Sequence, residues 1–177
     1  MHSKKATYAG IGSRETPGAI LDQMEQLGRS LAEQGLLLRT GNCLGADQAF
    51  QRGANSINPK LVELCLPWLG YEAASIRLGN AVHTPSRQAY AIAAQYHPAW
   101  HKCRPAMQAL HARNVQIILG AELAQPVEFV LCWTPGGKAV GGTAMGIRLA
   151  LAYGIAVRNL ANEEIAKPVY CQAEFGW

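Results

Sequence analysis

Three times in this chain a short apolar run ends in a glycine-rich turn that opens into a segment of helical period. Ala6 to Ile11 reads as a strand stopping at Gly10-Ile11-Gly12-Ser13-Arg14, and Ile20, Leu21, Met24, Leu27 and Leu31 then recur at helical spacing until Gly35. Leu36 to Arg39 gives a second strand, followed by Thr40-Gly41-Asn42-Cys43-Leu44-Gly45-Ala46-Asp47 and a helix from Ala46 to Gly53. Pro126 to Trp133 runs into Thr134-Pro135-Gly136-Gly137, then Gly141-Gly142-Thr143 and a helix from Ala144 to Tyr153. Strands that alternate with helices form parallel sheets, because a parallel pair needs a crossover. The expected fold class is therefore α/β, a Rossmann-like open parallel sheet with helices on both faces. In such a sheet all three turns lie at the carboxyl edge of the strands.

The rest of the chain fits that rhythm. Leu61 to Leu66 is a third buried strand, closed by Pro67, and Ile155 to Leu160 a fifth behind Gly154. Ser86–Gln95 and Trp100–Leu119 read as helices, Pro17 suits a first helical turn, and Trp68 to Pro85 has no period and reads as a long surface loop. Roughly the last 15 residues read as peripheral. Without repeats or low-complexity stretches, 177 residues are expected to form a single domain, and 49% hydrophobic against 16% charged residues suits a packed globule rather than disorder. No apolar run approaches the roughly 20 residues of a membrane span, and Met1-His2-Ser3-Lys4-Lys5 is not followed by the apolar stretch of a secretory signal, so a cytoplasmic location is expected. The cysteines at 43, 65, 103, 132 and 171 are scattered and odd in number, which is neither a disulfide framework nor a zinc ribbon. A net charge of +4 suits an anionic ligand without demanding nucleic acid.

Glycine lets backbone approach a phosphate closely, and a helix amino terminus directs free N–H groups and partial positive charge at it. Three such turns on one edge point to a phosphate-bearing ligand, with Ser13, Arg14 and Thr143 at their tips; Ser13 and Thr143 are also candidate helix N-caps. Two familiar cradles are excluded by spacing. The only Gly-Lys pair, Gly137-Lys138, continues as Ala139 where a nucleoside-triphosphatase loop needs Ser or Thr, and Glu15 occupies the third glycine position of a dinucleotide fingerprint.

The ordered set Gly10-Ile11-Gly12-Ser13-Arg14, Thr40-Gly41 with Gly45-Ala46-Asp47, His111-Ala112-Arg113-Asn114, and Pro135-Gly136-Gly137 with Gly142-Thr143 resembles the SLOG superfamily. That superfamily joins the Rossmann domain of DNA-processing protein A to the "lonely guy" cytokinin-activating phosphoribohydrolases. More closely, the chain resembles the small stand-alone members common in phage genomes. The resemblance spans roughly residues 6 to 160 and implies a nucleotide-type pocket lined by Gly12, Ser13, Arg14, Gly45, Arg113, Asn114, Gly142 and Thr143, to which the turn residues Gly41, Asp47 and Gly141 are added. There is one departure. The phosphoribohydrolases resemble Pro-Gly-Gly-x-Gly-Thr-x-x-Glu, whose glutamate supports cleavage of the N-glycosidic bond; three residues after Thr143 this chain has Gly146.

Without that glutamate, capture or sensing of a nucleotide is favoured over turnover. The alternatives are a nucleotide N-glycosidase, for which Asp47 is the best catalytic candidate beside Glu15, and a single-stranded DNA-binding recombination mediator, which the mild charge supports little. No cofactor is expected. His97 and His101, four apart with Cys103 following, have metal-ligand spacing, but Pro98 interrupts them and a fourth ligand is lacking, so no metal is expected. Trp68, Trp100 and Trp133 read as packing residues, with Trp133 also placed to stack on a base. The segment Trp100–Leu119 carries more apolar surface than one sheet face needs, and related SLOG proteins are commonly dimers or larger. A homo-oligomer, with Arg113 near the subunit boundary, is the corresponding expectation.

Overall fold

The computed structural model describes residues 5–162; Cys171, the peripheral terminal segment and residues 1–4 of the lysine-bearing start lie outside them. The described residues form six strands, β1 (Thr7–Gly12), β2 (Leu37–Thr40), β3 (Val62–Cys65), β4 (Ala81–His83), β5 (Phe129–Trp133) and β6 (Ala156–Asn159), and five α-helices. The helices are α1 (Gly18–Glu33), α2 (Ala46–Ile57), α3 (Arg87–Tyr96), α4 (Pro105–Leu119) and α5 (Thr143–Ala152). Every strand pairing is parallel and the sheet order is β4-β3-β2-β1-β5-β6. The order reverses between β1 and β5, so the crevice at their carboxyl ends is the position where open α/β sheets bind ligands.

Alternation along the strands divides the core in two. Tyr8, Leu38, Leu64, Phe129 and Leu131 face one side, with Ile20, Met24 and Leu31 of α1 and Ala49, Phe50 and Ala54 of α2. Ala9, Ile11, Cys65, Val130 and Cys132 face the other, beneath Ala89 and Ala93 of α3, Ala112, Val115 and Ile118 of α4, and Met145 and Leu149 of α5. Residues of opposite parity sit on opposite faces, and both faces are covered, which is why these strands read as near-continuous apolar runs.

Two expectations are corrected. The 68–85 stretch contains β4, an edge strand whose register joins Glu63 to Ala81 and Cys65 to His83. Its side chains are exposed or half-buried, so there was no apolar pattern to read. The helix expected from Trp100 begins at Pro105; Trp100–Lys102 is a separate short 3-10 turn. Arg104, the residue before the proline, is extended at φ −65° and ψ 155°, as the proline ring requires of its predecessor. Residues 111–119 of α4 are buried throughout and pack between the sheet, α3 and α5. Ile117, Ile118 and Leu119 are thereby taken up within the chain, whereas Met107 stays exposed and Trp100 and Leu110 are half-buried. No helix among the described residues is long and apolar enough to cross a membrane.

Candidate functional site

A cavity of about 490 Å³ opens at the reversal point, within the size range of small-molecule sites. The three glycine-rich turns supply three of its walls: Gly12, Ser13, Arg14 and Glu15 after β1, Cys43 and Asp47 after β2, and Pro135 with Val140 to Thr143 after β5. The fourth wall is α4, through Met107, Leu110, His111, Arg113 and Asn114. Of the expected ligand residues, Gly12, Ser13, Arg14, Asp47, Arg113, Asn114, Gly141, Gly142 and Thr143 are thus brought together from segments up to 131 positions apart. Gly41 and Gly45 do not line the cavity; both lie behind it.

The positions of Gly41 and Gly45 explain how the wall is held. A Cβ at Gly41 would overlap the guanidinium of Arg113 and approach Asp47 Oδ2 to 2.8 Å. Gly45 sits at φ +91°, a conformation L side chains rarely adopt, and a Cβ there would meet the Ser13 carbonyl oxygen at 2.9 Å. One glycine makes room for the buried arginine, and the other lets the β2 turn press against the β1 turn.

Asp47 is 2% exposed and sits in the first turn of α2. Its Oδ1 accepts from the Gly12 N–H at 3.2 Å, and its Oδ2 from the Cys43 N–H at 3.3 Å and Arg113 Nη1 at 3.4 Å. Burial pushes its carboxyl above the ordinary range, while the Arg113 guanidinium and the backbone N–H groups pull it back. Because these partners are all donors, a protonated carboxyl would leave its own O–H without an acceptor, and the carboxylate is the form the site accommodates. Arg113 also donates through Nη2 to Cys43 Sγ at 3.0 Å and through Nε to the Leu110 carbonyl at 3.3 Å. Asp47 and Arg113 therefore neutralise each other under the cavity floor.

Asn114 donates to the Gly142 carbonyl at 3.0 Å and ties α4 to the last turn before α5. Gly146 lies behind the same wall, where a Cβ would meet Ile11 Cδ1 at 3.3 Å and Asn114 Cβ at 4.0 Å. Neither expected N-cap serves as one: α1 is preceded by Pro17 and α5 by Gly142, and no side chain caps either helix. Ser13 instead accepts the Glu15 N–H at 3.1 Å within its own turn, and Thr143 is the first residue of α5. Sequence also gave no role to Asn42 and Tyr71. Asn42, at φ +62°, donates to the carbonyls of Tyr71 and Glu72, and the Tyr71 hydroxyl accepts from Arg14 Nη2 at 3.0 Å and lies 3.1 Å from Cys43 Sγ. Burial and the neighbouring thiol push the Tyr71 hydroxyl up to about 12, so it remains protonated. The local signal for Asn42 was present, since asparagine is favoured among non-glycine residues at positive φ.

Arg14 is exposed and makes no ion pair among the described residues, which leaves an uncompensated cation at the cavity rim, aimed by Tyr71. His111 lines the same cavity; its imidazole is lowered to about 4, mainly by burial and then by the neighbouring His97, Arg113 and Arg148. Among the described residues, one His/Cys group is close enough to hold a metal ion: His97, Cys103 and His111. His101, which the sequence spacing had paired with His97, is exposed on the 3-10 turn and does not belong to it. Trp133 does not line the cavity and packs partly buried against the α1–α2 side of the core.

No protein-family model matches this chain, and no curated protein matches it. Solved structures do. DNA processing protein A from Helicobacter pylori, described for its single-stranded DNA binding mode, superposes with a TM-score of 0.59 at 19% identity, over 87% of this chain and 64% of that one. The Moco carrier protein of Chlamydomonas rheinhardtii superposes with a TM-score of 0.54 at 18% identity, over 90% of this chain and 77% of that one. The chain shares a Rossmann-like α/β fold with both. At these identities the likeness concerns the fold alone, and the chain spans less than two thirds of the length of the DNA processing protein A structure.

Proposed function

We propose that this SLOG-fold chain captures or senses a nucleotide, or a closely related phosphate-bearing ligand, in the cavity at the ends of β1 and β5. The observation that carries the proposal is the division of charge. The buried cation Arg113 is matched by Asp47, whereas Arg14 stands unmatched at the rim of the cavity and faces the same space as the uncapped amino terminus of α5. An anion placed there meets a charge-assisted donor and a helix dipole. One neighbour with this fold is described for single-stranded DNA binding and the other is named a Moco carrier protein, so ligand binding suits the fold without choosing between nucleic acid and a small molecule. Turnover is disfavoured, because both Asp47 oxygens face donors and position 146, where the phosphoribohydrolases carry glutamate, is glycine.

Thermal shift with adenosine monophosphate, other mononucleotides, inorganic phosphate and an oligothymidylate tests the reading, followed by calorimetric titration of the strongest ligand. A mononucleotide should raise the melting temperature, and Arg14→Ala should weaken its binding by about 1.5–3 kcal/mol, the range for a hydrogen bond to a charged group. Unchanged affinity in Arg14→Ala would remove Arg14 from the site. Stabilisation by the oligonucleotide alone would favour a DNA-binding module instead.

A further inference from the structure

Beside α4 three potential metal ligands meet, one of which, His111, also borders the cavity. His97 ends α3, Cys103 follows the 3-10 turn, and His111 opens the continuously buried part of α4, so the packing of α3 on α4 brings the three together. Their ligand atoms all lie within 4.8 Å of one another. Cys103 Sγ is 3.8 Å from the ring nitrogens of His97. Metal–sulfur and metal–nitrogen bonds of about 2.3 and 2.0–2.1 Å, opened to a tetrahedral or trigonal angle, separate the two donor atoms by roughly 3.6–3.8 Å. The thiol and imidazole thus already stand at bridging distance.

His111 supplies the second observation. The residue is 5% exposed, its Nδ1 has no hydrogen-bond partner among the described residues, and its ring centroid lies 4.3 Å from that of His97. A buried, unsatisfied imidazole nitrogen is costly unless something takes its lone pair. Trp100 and Tyr90 stand edge-on nearby, Trp100 with its ring 6.3 Å from His97 and 6.5 Å from Tyr90, so the group has an aromatic wall on one side.

We propose that His97, Cys103 and His111 bind a thiophilic d10 cation, Zn²⁺ or Cu⁺, with three protein ligands and an open fourth position. The set of one thiol and two imidazoles suits such ions and not Mg²⁺ or Ca²⁺, which take oxygen ligands. Arg113 and Arg148 lie close enough to His111 to disfavour a second positive charge, so the thiolate of Cys103 is needed to offset the ion. Binding through His97 Nδ1 replaces one existing contact, the Ala99 N–H at 3.2 Å. Metal entry releases the Cys103 proton to solvent, and no redox step is involved. The site does not depend on the nucleotide cavity, although His111 borders both.

The test uses the full chain, reduced, freed of metal with a chelator and titrated with Co²⁺ as a spectroscopic probe. One equivalent should bind with thiolate-to-cobalt charge-transfer absorption in the near ultraviolet, and Zn²⁺ should displace it. Cys103→Ser should abolish the charge-transfer band. His97→Ala should weaken Co²⁺ binding by more than the roughly 10–100-fold that loss of an outer-shell partner costs. Cys43→Ser and His101→Ala should keep both band and stoichiometry, since neither residue belongs to the cluster. No charge-transfer band in the wild-type chain at excess Co²⁺ would overturn the proposal, whatever the variants do. So would a band that survives in Cys103→Ser, or one lost in Cys43→Ser.

Discussion

Gly41→Ala adds a single methyl group, and the structure says where it goes. Gly41 is not in the left-handed region, so the backbone tolerates alanine, and reduced freedom of the unfolded chain would by itself stabilise the protein by about 0.4–1 kcal/mol. The added Cβ, however, occupies the place of the Arg113 guanidinium. Arg113 must leave, and Asp47, 2% exposed, loses its counter-charge. Breaking a buried ion pair from one side costs about 3–5 kcal/mol. The lower end applies here, because Asp47 keeps its bonds from Gly12 and Cys43. Allowing for the unfolded-chain gain, the net loss should be about 2–3 kcal/mol, or roughly 4–12 °C in melting temperature for a domain of this size.

Urea unfolding followed by far-ultraviolet circular dichroism measures it, with the slope unchanged if the transition stays cooperative. The decisive comparison is the same substitution in an Arg113→Ala background, where the space is already empty. There the methyl should cost nothing, and the two changes should be non-additive by about 2–3 kcal/mol. A Gly41→Ala chain within about 0.5 kcal/mol of wild type, or an equal loss in both backgrounds, would refute the account of Gly41 as the seat of the arginine.

Two further outcomes are expected. Arg39, 4% exposed, pairs with Glu63 at 2.6 Å across β2 and β3, so Glu63→Gln should cost about 2–3 kcal/mol, while Arg39→Leu combined with Glu63→Leu should recover most of it in the same urea titration. Overnight incubation with adenosine monophosphate should release no free adenine by chromatography; adenine that appears and then vanishes in Asp47→Ala would make Asp47 catalytic and refute its role as partner of Arg113.

The sequence by itself determined the layered architecture and the edge that carries the site. Strands ending at Gly12, Thr40 and Trp133, each followed by a helix, can pack only as a parallel sheet with crossovers, and that places their turns together. These signals are local, written as the period of apolar residues and the position of glycine. What depends on pairing was not legible. The strand Ala81–His83 exists because β3 offers it an edge, and its exposed side chains carry no pattern. Nothing near position 41 announces that its missing side chain is filled by an arginine more than seventy residues later, or that the same arginine holds Asp47. The same holds for His97: regular spacing pointed to His101, but Pro98 follows the helix end and turns the chain, and the packing of α4 on α3 delivers His111 instead. Periodicity fixes which face of an element is buried, whereas only the crossing of one element over another decides which two side chains meet there.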